Sequence, residues 1–95
     1  MPRTPTLKER LDACATKGAL STADLATWFD LSYQTMRSYR GGVEPYPARQ
    51  KQIEQRLQWL EKAVKKHPSL PVPLEVRAAS RKLYILRVRR DCIDR

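Results

Sequence analysis

Start and stop signals for helices follow one another closely through the first 68 residues, and they constrain the architecture more than any other feature. "TLKE" at residues 6–9 is a capping box: the Thr6 side chain takes an orphan backbone N–H and Glu9 reaches back. Leu7, Leu11, Cys14 and Ala15 then share one helical face, and Gly18 suits a left-handed stop. "STAD" opens a second helix after Ser21, with Asp24 placed well for both the box and the helix dipole. Its apolar stripe is Leu25, Trp28 and Phe29, and Ala26 is the small residue where a following helix comes closest. Asp30-Leu31-Ser32 interrupts the run. Ser32 caps a third helix, Tyr33 to about Arg40, which Gly41-Gly42 ends. After the loop "VEPYP", Pro47 stands at the first turn of a long helix that stops at His67-Pro68. His67 is expected to cap that helix's C-terminus, where its charge is favourable.

Ile53, Leu57, Leu60 and Val64 are spaced four, three, four, the seam of a bundle or coiled-coil helix. A run this short reads as intramolecular core rather than a dimer seam, and Trp59 lies off it. "HPSLPVP" carries three prolines and reads as a stiff, extended connector. The last block is ambiguous. Val76, Ala79, Leu83 and Leu86 make a helical stripe, while "KLYILRVRR" fits a short strand equally; the helix formers of "LEVRAASRKL" after a proline favour helix. The fold expected is all-α: a domain over 1–66, a Pro-rich connector over 67–73 and a basic C-terminal segment, helix or short strand, over 74–95.

Charge bounds the partners. Nineteen Lys and Arg against ten Asp and Glu give +9 and a pI near 10.1, a balance that favours a polyanion. The excess is uneven: residues 21–46 hold two cations and three acids, residues 73–95 seven cations and three acids. No apolar run is long enough to span a membrane, and "MPRTPTLKER" lacks the apolar centre of a signal peptide, so a cytoplasmic location is expected. Cys14 and Cys92 read as buried thiols in a reducing compartment, with an interchain disulfide as the alternative, and no pair has metal-ligand spacing. One histidine, no glycine-rich loop and no clustered carboxylates leave no general base with a paired nucleophile. Neither catalysis nor a cofactor is expected.

The third helix has a different outside. Met36 and Tyr39 face inward with Leu31, which leaves Tyr33, Gln34, Thr35, Arg37, Ser38 and Arg40 toward solvent. The major groove of B-DNA admits one α-helix and displays hydrogen-bond donors and acceptors on its base edges, so a reader helix needs such a surface. Gln34 suits adenine and Arg37 guanine in bidentate pairs. Thr35 and Ser38 suit base edges or phosphates, and Tyr33 the sugar-phosphate wall or a thymine methyl. Base contacts are thus expected from Tyr33, Gln34, Thr35, Arg37 and Ser38. Phosphate contacts are expected from Ser21, Thr22, Ser32, Arg40, Arg49 and Lys51. Trp28 and Tyr33, taken singly, read more readily as packing residues.

"TADLATWFDLSYQTMRSYRG" resembles the helix-turn-helix of the phage repressor and Cro type. The small residue matches at Ala26 and the apolar positions at Leu25, Leu31, Met36 and Tyr39. "RGGVEPYPARQKQIEQRLQWL" continues the likeness with a glycine after the reader helix, a proline and a further helix. Where that family usually has glycine in the turn, this chain has Asp30, which tolerates the left-handed conformation. The resemblance covers about half the chain. It implies sequence-specific binding of double-stranded DNA by a bacterial or phage transcriptional regulator. Such a regulator acts as a homodimer on half-sites roughly 34 Å apart.

Two alternatives stay open. One is the DNA-recognition subunit of a phage packaging terminase, which also carries a helix-turn-helix and assembles into rings. The other is an adaptor whose basic C-terminal block docks on an acidic protein partner. Arg77, Arg81, Lys82, Arg87, Arg89 and Arg90 read as a solvated face or as a tail touching phosphates. The stripe beside them is expected to pack on the long helix or on a second subunit. Two short helices joined by a turn also occur as plain scaffolding. The caps, the inner pattern, the polar outer face and the basic chain together favour DNA.

Overall fold

Each of the first four helices begins where a local feature can start it. The computed structural model describes residues 4–73, 75, 76 and 78–93, and among these there are five helices and no strand. They are α1 Leu7–Gly18, α2 Thr22–Phe29, α3 Tyr33–Arg40, α4 Pro47–Lys66 and α5 Ala78–Ile93. Thr6, Ser21 and Ser32 stand in extended backbone, and their hydroxyls accept the N–H of Glu9, Asp24 and Thr35 at 3.2, 3.2 and 3.1 Å. At α2 the box is complete, since the Ser21 N–H donates to Asp24 Oδ2 at 2.9 Å. Pro47 occupies the first turn of α4, where a backbone N–H would have no partner in the helix. The last block is a helix, so the fold is all-α.

The core gathers residues from every helix. Leu11 and Cys14 of α1 meet the α4 seam of Ile53, Leu57 and Leu60, all 5% exposed or less. That seam is therefore internal. Arg10 ties the same two helices at the surface, donating to Glu61 Oε1 at 2.6 Å and Glu54 Oε2 at 2.7 Å, which holds the Glu54 carboxyl below its usual range. Burial pushes the Cys14 thiol up to about 11. Cys92, on α5, is half-buried, and the two cysteines are not bonded to each other.

The connector takes part in this core. Leu70 and Val72 both turn inward, as alternate residues of extended backbone do. The Val72 N–H donates to the Gly18 carbonyl at 2.9 Å, and the Tyr84 hydroxyl of α5 donates to the Ser69 carbonyl. The block after the prolines is thus packed on the same core, along α2 and α4. His67 follows α4 as its cap residue; its Nδ1 accepts from the Ser69 N–H at 3.1 Å, and its Nε2 lies 3.7 Å from Asp91 Oδ2.

Two expectations are corrected. The left-handed residue after α1 is Ala19, with φ 53° and ψ 47°, and not Gly18. Gly18 answers a different demand: a Cβ there would lie 3.0 Å from Leu20 Cγ and 3.1 Å from Val64 Cγ1. The bare backbone lets the end of α1 come down on α4, and the reversal falls to the next residue.

The second correction is the α5 stripe. Val76 is partly buried, but Ala79 is exposed, Leu83 is 70% exposed and Leu86 is only half-buried. The face turned inward carries Tyr84, Ile85, Val88 and Cys92, with Arg81 one turn before Ile85. Both sets satisfy helical spacing, and the pairing of Arg81 described below selects the second. Arg77, counted among the C-terminal cations, lies outside the described residues. No helix among the described residues is long and apolar enough to cross a membrane.

Candidate nucleic-acid interface

α2 and α3 meet across a turn whose geometry depends on Asp30. It adopts φ 57° and ψ 45°, the left-handed conformation expected of it in place of glycine. The Asp30 and Leu31 N–H groups return to the Thr27 and Ala26 carbonyls at 3.2 and 2.9 Å. Ala26 is buried, and Leu31 packs against the core beneath the turn. Ser32 then starts α3 at once, so little slack separates the two helices.

α3 divides sharply into two sides. Met36 and Tyr39 are 0% and 5% exposed and anchor it. Gln34, Arg37 and Ser38 are exposed and lie three and four residues apart, on one strip of the helix. Tyr33, one turn before Arg37, is 55% exposed and therefore not a packing residue, whereas Trp28 is buried and donates its indole N–H to the Arg56 carbonyl at 3.0 Å. An α-helix is about 10–12 Å across, which fits the width of the major groove, and eight residues run about 12 Å along it.

Other expected contacts are engaged within the molecule. The Ser32 hydroxyl donates to Thr35 Oγ1 at 2.8 Å, and Thr35 is half-buried. Arg40 donates from Nε and Nη2 to Asp12 Oδ1 at 3.2 and 3.0 Å, and from Nη1 to Thr22 Oγ1 at 3.0 Å. The last residue of α3 is thereby tied to α1 and to the start of α2. Lys8 first, and Arg40 with it, holds the Asp12 carboxyl below its usual range. Ser21 is exposed with its hydroxyl on the α2 cap. Arg49 and Lys51 stand exposed near the start of α4, which has neither a side-chain cap nor an acid in its first turn. Among the described residues no group of three or more His, Cys, Asp and Glu is placed to hold a metal ion.

Sequence reasoning missed two residues that hold the motif from behind. α5 runs alongside α2 in the same direction. At the N-terminal end, Arg81 donates from Nε and Nη2 to Asp24 Oδ2 at 3.0 and 2.7 Å, and from Nη2 to the Ala19 carbonyl at 2.7 Å. At the C-terminal end, Arg89 Nη1 reaches the Thr27 and Trp28 carbonyls at 3.2 and 3.0 Å, where a cation complements the helix dipole. Asp24 is only 3% exposed, so its charge is matched inside the fold. The one signal in the sequence is that Arg81 and Arg89 bracket Ile85 at four residues on either side. Compared with models of protein families, with curated proteins and with solved structures, the chain finds no match.

Proposed function

We propose that this chain binds double-stranded DNA sequence-specifically by laying α3 in the major groove. The observation that carries the reading is the exposed strip of Gln34, Arg37 and Ser38 on a short helix whose opposite side is fixed by Met36 and Tyr39. Arg40 adds to it, because a reader helix that cannot rotate presents its groups in one register. Gln34 reads adenine and Arg37 guanine, Ser38 a neighbouring edge, and Tyr33 packs on the groove wall. Phosphates are met by the exposed start of α2 at Ser21 and by Arg49 and Lys51 near the start of α4, whose first turn carries no acid to repel an anion. Thr22, Ser32, Thr35 and Arg40 serve to hold α3 in place. The net charge of +9 supports association with a polyanion.

In this reading the protein is a transcription regulator of bacterial or phage type. It acts in the cytoplasm as a homodimer on half-sites roughly 34 Å apart, with binding and not catalysis as its task. The test is selection of bound sequences from a random duplex pool. An inverted repeat is expected to emerge, with Gln34→Ala and Arg37→Ala each relaxing a different base position. A pool that emerges unenriched overturns the reading.

A further inference from the structure

α5 carries two apolar stripes, and the core takes only one. The other runs through Ala79, Leu83, Leu86, Arg90 and Ile93, spaced four, three, four and three, which is the repeat by which one helix packs along another. Leu83 is 70% exposed and Ile93 42%. Lys82 and Arg87 flank this seam at the positions where paired helices carry the charges that choose a partner, and Arg90 interrupts it. All three cations are exposed, and none has a hydrogen bond or ion pair among the described residues. Asp91 is turned to the other side of the helix, toward His67.

We propose that this outer face of α5 docks an acidic amphipathic helix of another protein. The partner's leucine-like seam would lie on Leu83, Leu86 and Ile93, and its carboxylates would face Lys82, Arg87 and Arg90. Charge complementarity selects this occupant. A second copy of the chain would set the same three cations against themselves, a like-charge arrangement that excludes partners. A phosphate backbone would match the cations but leave Leu83 and Ile93 in water. The inference does not depend on DNA binding. Leu86 and Lys82 also line the groove beside Asp30, Leu31 and Tyr33, whereas Leu83 does not, so Leu83 is the cleaner position to alter.

The probe is a labelled synthetic peptide of three Leu-Ala-Ala-Leu-Glu-Ala-Glu heptads, whose own glutamates keep its copies apart. Its control replaces each Leu by Ser at the same charge. The full chain is titrated into each and followed by fluorescence anisotropy. The Leu peptide is expected to bind about tenfold more tightly than the Ser peptide. Leu83→Ser and Arg87→Glu are each expected to weaken it about tenfold while melting as the parent does. Four results overturn the proposal. They are no binding, equal affinity for both peptides, a dimer mass that Leu83→Ser reduces to a monomer, and a loss of duplex DNA affinity in Leu83→Ser as large as the loss for the peptide.

Discussion

α3 and α5 are both basic helices on the surface of one small core, and they treat their apolar residues in opposite ways. α3 turns Met36 and Tyr39 inward and leaves hydrogen-bonding groups outside. α5 turns Ile85 and Val88 inward but leaves Leu83 and Ile93 in water beside Lys82, Arg87 and Arg90. The first is the surface proposed to meet base edges, which offer donors and acceptors; the second is the one proposed to meet another helix, which offers apolar area and carboxylates. The arginines make the same point from within. Arg40, Arg81 and Arg89 each bind groups of this chain, while Arg37, Arg87 and Arg90 stay exposed. Formal charge does not separate these two uses; position around the helix does.

The largest test of this contrast is Arg81→Ala. It leaves the Asp24 carboxylate buried without its cation, and a loss of about 3–5 kcal/mol in chemical denaturation is expected. A loss under about 1 kcal/mol would show that α5 is not latched to α2 through this pair. Next come the two faces of α5. Ile85→Ala is expected to cost about 2–5 kcal/mol and Leu83→Ala no more than about 0.5 kcal/mol, so similar midpoints would reverse the assignment of inside and outside.

Smaller effects concern α3, the proposed reader helix. Ala26→Leu overfills the buried turn between α2 and α3 and is expected to cost about 1–3 kcal/mol, lowering DNA affinity through misorientation. Gln34→Ala and Arg37→Ala are expected to leave the melting temperature and circular dichroism unchanged, yet each to lose about 1–3 kcal/mol on the selected DNA site. Parental affinity in both would remove α3 from the interface. The smallest change is a gain. Ala19→Gly relieves a left-handed alanine, about 1–2 kcal/mol, against a backbone entropy cost of about 0.5–1 kcal/mol, for a net stabilisation of about 0.5–1 kcal/mol by thermal melting.

What the sequence made legible was local. Thr6, Ser21 and Ser32 each start a helix through a bond three residues long, and Pro47 through its own ring, so those beginnings can be read without knowing the rest of the chain. The inward pair Met36 and Tyr39 follows from helical spacing alone, and the left-handed Asp30 from the residue's own preferences. The unread features all depend on distant partners. Gly18 is small because Val64 approaches from α4, and the turn therefore moves to Ala19. The α5 sequence offers two stripes of equal periodicity, and Asp24, 57 residues before Arg81, decides between them. Thr22 and Arg40 look like free surface groups until α2 and α3 bring them to 3.0 Å.

The two cysteines sit on the first and the last helix, and this gives the molecule a pair of internal clocks. A thiol reacts as its thiolate, and Cys14 is both buried and raised to about 11, so a maleimide at neutral pH reaches it only when α1 opens from α4. Cys92 reports on α5 instead. Half-buried Cys92 takes some label from the folded molecule, so the comparison lies in how each rate rises with denaturant. If the molecule unfolds as one unit the two rates rise together, and if α5 peels away first the Cys92 rate rises at lower denaturant, by an interval that measures how firmly Arg81 and Arg89 hold the last helix against the rest.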